Sequence, residues 1–125
     1  MSRKDEQWAF LLDVADLIKY IEVIGFTAVG GELKRSYAEQ CRKFDAGLSK
    51  AKGGQSLHEK LQAIDIDFFD EEGTWLKMPT NDEAKERFKN LLSPIGAYWE
   101  SLDEANRWGG FFTTIFDPFH FERNT

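Results

Sequence analysis

The run from Ala63 to Phe69 alternates with period two, and no other stretch constrains the fold as strongly. Ile64, Ile66 and Phe68 point one way, while Ala63, Asp65 and Asp67 point the other. This predicts a strand with one apolar face and one acidic face. Phe119 to Glu122 alternates again, with Phe119 and Phe121 on one side and His120 and Glu122 on the other. Both stretches read as strands, and the expected fold is α+β, with a small antiparallel sheet packed with helices.

Residues 5 to about 24 read as an amphipathic helix with Leu11, Val14, Ile18 and Ile21 on one stripe and Gly25 as its stop. Phe26 to Arg35 reads as extended. Ser36 is placed to cap a helix through Gly47, with Glu39 at the capping-box position. Ser49 to Gln55 is a polar loop. Asp70 to Gly73 forms a turn from which Thr74 to Met78 is expected to pair back as a hairpin. Asn81 to Leu92 forms a helix capped by Thr80 or Asn81, and Pro94 starts a further run toward Leu102. The chain shows no repeat, linker or low-complexity tail, so the expectation is one α+β domain over residues 1–125.

Composition removes several function classes. A chain of 125 residues with 42% hydrophobic content, eleven Phe and four Trp can build a sizeable core. A net charge of −6 without a basic stripe argues against nucleic acid and against an anionic membrane surface. Cys41 is the single cysteine, which excludes an intramolecular disulfide and a Cys-based zinc cluster; it is expected half-buried on a helix. Leu11 to Ile24 is interrupted by Asp13, Asp16, Lys19 and Glu22, so it neither spans a membrane nor resembles a secretory segment. The N-terminus lacks a hydrophobic signal core, and synthesis and folding in a cytoplasm are expected.

The two histidines carry the chemistry. His58 precedes Asp65 by seven residues, and His120 follows Asp117 by three. A catalytic zinc takes three protein ligands and a water, with ligand atoms roughly 3–4 Å apart. On one continuous helix, seven residues would separate His58 from Asp65 by about 10 Å. The chain must therefore bend before Ala63, after which Asp65 projects from the acidic face of the strand. His120 can join it from the neighbouring strand. The Asp117-Pro118 step is turn-like and can swing Asp117 toward the ion's water, near the metal yet free of it, as a general base requires. A zincin reading of His58-Glu59 fails because Gln62 stands where a second His is needed, and Glu59 is expected exposed. The alternative is that these are ordinary surface or core residues.

Ser56-x-His58-x6-Asp65 with Ala63, then Trp108-Gly109-Gly110 and Asp117-x-x-His120-Phe121-Glu122, resembles the zinc D-Ala-D-Ala carboxypeptidase and endolysin peptidase family. Gly30-Gly31-Glu32-Leu33-Lys34-Arg35-Ser36, with Gln40, also looks like that family's region before the first ligand. The resemblance implies the fold shared with the hedgehog signalling domain. It also implies that His58, Asp65 and His120 bind Zn2+, that Asp117 is the catalytic base, and that Arg35 stabilises the oxyanion. Ser56 would hold the peptide, Trp108 would shape the cleft wall, and Glu122 would orient a ligand. One departure stands out: many relatives carry glycine between the His and the Asp, where this chain has Leu61 and Gln62.

Members of that family cut peptidoglycan stem peptides, some at D-Ala-D-Ala and others at L-Ala–D-Glu. An Asp base on a compact chain looks more like the L-alanyl-D-glutamate endopeptidases of phage lysis systems. The expectation is a monomeric phage or prophage endolysin, made in the host cytoplasm, released by a holin-like partner and acting on the wall in the periplasm. A D,D-carboxypeptidase is the runner-up. A non-catalytic zinc-binding module of the same fold and a metal-free helical adaptor are the non-enzymatic readings.

Overall fold

The computed structural model of the chain describes residues 2–30, 37–47, 57 and 59–125. Its first element, α1 (Arg3–Val23), starts two residues before the sequence expectation, because Ser2 and Asp5 form a reciprocal capping box. It ends as expected at Gly25, whose φ of 99° is open to glycine at little cost. There Gly25 N donates to Glu22 O and Phe26 N to Ile21 O, a Schellman closure. The buried face is rotated from the expected stripe. Phe10, Val14, Leu17 and Ile21 enter the core, while Ile18 is 46% exposed. Apolar residues on both sides of the helix, including exposed Trp8, Leu12 and Val23, made the face ambiguous from sequence.

Next come β1 (Thr27–Gly30), α2 (Tyr37–Asp45) and β2 (Ala63–Phe69). Half-buried Cys41 lies on α2, and Glu39 pairs with Arg42 one turn on. The expected cap Ser36 and the loop Ser49 to Gln55 lie outside the described residues. The hairpin after Asp70 is reduced to a turn and one bridge, Phe69 to Trp75.

The helix expected to end at Leu92 instead continues as α3 (Asp82–Leu102), with Pro94 inside it. Proline cannot donate to the carbonyl four residues back. That carbonyl, on Asn90, accepts from the Ser93 hydroxyl instead, at 3.2 Å. The helix is capped by Asn81, whose Oδ1 accepts from Ala84 N at 2.8 Å.

A strand missed in the sequence, β3 (Asn106–Trp108), runs into a 3-10 turn at Gly109–Phe111, and β4 (His120–Arg123) closes the chain. The four strands form one antiparallel sheet in the order β1-β2-β4-β3. One face packs Ile64, Ile66, Phe68 and Phe121 against α1 and α3. Trp99 anchors this layer, edge-on to both Phe10 and Phe121, with its indole N–H shared between Arg107 O and Glu122 O. The opposite face carries Asp65, Asp67, His120 and Glu122. Among the described residues no helix is long and apolar enough to cross a membrane.

Candidate metal centre

Strand register builds the centre. Asp65 on β2 lies directly across from His120 on β4, and the period-two pleat puts both side chains on the face opposite α1 and α3. Asp65 Oδ1 is 3.3 Å from His120 Nδ1, a separation two ligands of one zinc can have. The other ring nitrogen, Nε2, is 2.7 Å from Glu122 Oε1 on the same face of β4.

Asp117 arrives from the turn before β4. Its amide donates to Gly109 O at 3.1 Å, and its carbonyl accepts from His120 N at 3.1 Å. Asp65, Asp117 and His120 each offer a ligand atom, and these atoms lie within 4.8 Å of one another. Burial by itself would lower the His120 pKa. Hydrogen bonds and charge from Asp65 and Glu122 outweigh it and push the imidazole up to about 9. An imidazole nitrogen of His120 and a carboxylate oxygen of Asp65 make a donor pair suited to a divalent cation, with the Asp117 carboxylate within reach of the same point.

The bend before β2 is explicit. Gln62 N donates to Leu57 O at 2.8 Å, and Leu61 takes φ of 56°, the one positive value at a non-glycine among the described residues. Leu61 thus occupies a left-handed position in the stretch where glycine is common in the resembling family, at a cost of roughly 1–2 kcal/mol. Gln62 is buried because its amide bonds Arg123 O and Thr125 Oγ1. The departure from the motif, Leu61-Gln62, therefore belongs to the bend itself. Glu59 is half-buried rather than exposed.

Trp108 is not where the sequence reading put it. It is fully buried beneath the Asp117-Pro118 turn and shapes no cleft wall. Its indole N–H is satisfied inside, by Pro118 O at 2.8 Å. The aromatic ring that does lie against the centre is Phe112, half-buried and 5.9 Å from the His120 ring. Only its place after the Trp108-Gly109-Gly110 run could have signalled it. His58, Arg35 and Ser56 lie outside the described residues.

A family model described as D-alanyl-D-alanine carboxypeptidase (Peptidase M15) matches residues 49–123. Among solved structures, the chain is similar to the L-Ala D-Glu endopeptidase ChiX of Serratia marcescens, with a TM-score of 0.66 and 18% identity over 97% of this chain and 85% of that one. It is also similar to the LD-carboxypeptidase LdcB, with a TM-score of 0.51 and 16% identity over 91% of this chain and 62% of that one. No curated protein matches it significantly.

Proposed function

Since the chain belongs to the D-alanyl-D-alanine carboxypeptidase family of M15 peptidases, we propose that it is a zinc-dependent peptidase that cuts the peptidoglycan stem peptide between L-Ala and D-Glu, serving as a phage or prophage endolysin. The observation that carries the reading is the convergence of Asp65, Asp117 and His120 from two strands and a turn onto one point of the sheet face opposite α1 and α3. The finer assignment leans on the resemblance of an Asp-based, compact peptidase to phage lysis enzymes and on the fold it shares with ChiX.

In this proposal His58, Asp65 and His120 hold the ion. His120 offers Nδ1, the nitrogen facing Asp65, while Glu122 keeps Nε2 protonated and the ring in place. Bound zinc would supply the Lewis acidity that polarises a scissile carbonyl and makes water nucleophilic at neutral pH. Asp117 accepts the proton of the attacking water and passes it to the leaving amine. Arg35 balances the charge that develops on the carbonyl oxygen, and Ser56 holds the substrate backbone.

Mass spectrometry of digested muropeptides tests the bond. A new D-Glu amine terminus is expected. Release of free D-Ala without that terminus would assign the chain to the D,D-carboxypeptidase activity by which its family is described.

A further inference from the structure

We infer that Trp108 is a positioning residue for Asp117, acting through the Pro118 carbonyl. Among the described residues, three hydrogen bonds hold the backbone of the turn bearing Asp117. Two are backbone bonds, Asp117 N to Gly109 O and His120 N to Asp117 O. The third is the indole N–H of Trp108, which donates to Pro118 O at 2.8 Å. Pro118 has no N–H of its own, so this turn has one fewer internal donor, and the indole supplies a hold from outside.

The indole can do this because it is itself immobilised. Its backbone N–H donates to Glu100 Oε2 at 2.9 Å, and Phe111 meets the ring edge-on at 4.7 Å. The absence of side chains at Gly96 and Gly110 leaves the space it fills, since a Cβ at either would collide with the ring. A Cβ at Gly109 would collide with the Asp117 carbonyl oxygen, so the turn rests directly on the backbone that follows Trp108. A core tryptophan needs only some partner for its N–H. This one uses the carbonyl next to the carboxylate that the proposed mechanism needs most. Misplacing such a group by about 1 Å costs on the order of 10²-fold in rate.

The kinetic consequence rests on the peptidase reading, while the structural one does not. The test compares zinc-loaded wild type with Trp108→Phe and with 3-benzothienylalanine at position 108, which keeps the ring shape and removes the N–H. Zinc content, amide hydrogen exchange, kcat and KM are measured on each. The expected result is exchange at the Asp117 and His120 amides faster by about tenfold, with Leu17 in α1 unchanged and zinc retained. A kcat lowered about 10- to 100-fold at unchanged KM should accompany it. Unchanged exchange at both amides would overturn the inference. So would loss of zinc, a raised KM at unchanged kcat, or unfolding of the shape-preserving variant. If the wild type cuts no peptidoglycan, the peptidase reading falls, and the exchange comparison still decides the role of Trp108.

Discussion

Glu122 Oε1 lies 2.7 Å from His120 Nε2, two residues along the same strand, so one pleat carries both a metal-ligand candidate and a carboxylate in contact with its ring. Both side chains are only 13% exposed, which keeps the contact out of competing water. Removing the charge while keeping the shape isolates this contact. Glu122→Gln is expected to weaken zinc affinity about 10- to 100-fold, measured by competition with a chromophoric chelator. Unchanged affinity would mean that Glu122 does not orient the ring.

The other face of β4 holds the domain together. Arg123 follows Glu122 and points into the protein, where its guanidinium meets Glu6 of α1 at 2.6 Å and Asp103 after α3 at 2.9 Å. Its side chain is 7% exposed. Arg123 is buried but both carboxylates it pairs reach solvent, so its removal sits at the low end of the roughly 3–5 kcal/mol typical of a fully buried pair. Arg123→Ala should therefore lower the unfolding free energy by about 3 kcal/mol in urea titration. A change under about 0.5 kcal/mol would show that α1 is held by apolar packing alone.

Acid should loosen the same junction. The Ala105 amide, donating to Asp103 Oδ1 at 2.8 Å, and then Arg123 hold the Asp103 carboxyl below its ordinary value of 3.8. A depressed folded-state value means stability that is present above 3.8 and lost as pH falls through the folded value. Asp103→Asn should melt earlier than wild type near neutral pH, and the gap should narrow below pH 3.8 and close once the pH has fallen through the lowered folded value of Asp103. A gap of constant size across that range would contradict this origin.

Much of this arrangement was legible in the chain. The alternation of Ala63 to Phe69 marks β2 at its observed ends, and the alternation at Phe119 to Glu122 places His120 and Glu122 together. The Asp117-Pro118 step marks the turn that brings a third carboxylate. What was hidden depended on tertiary partners. Asn106–Trp108 is too short to announce a strand and exists because β4 pairs with it. Pro94 reads as a helix start, yet the Ser93 hydroxyl supplies a donor to the carbonyl the proline leaves open. The resemblance implies a cleft role for Trp108, while a tryptophan is more often core than cleft, and Gly96 on α3 makes the space that buries it.

The central claim is that Asp117 serves as a base beside the ion and does not hold it. The most direct measurement is zinc content per chain and peptidoglycan cleavage for wild type and Asp117→Ala in parallel. One zinc is expected in both proteins, with stem-peptide cleavage by the wild type and a loss of at least about 10²-fold in the variant. A variant that loses its zinc would contradict the claim, as would a variant that keeps full activity or a wild type that binds zinc yet leaves peptidoglycan intact.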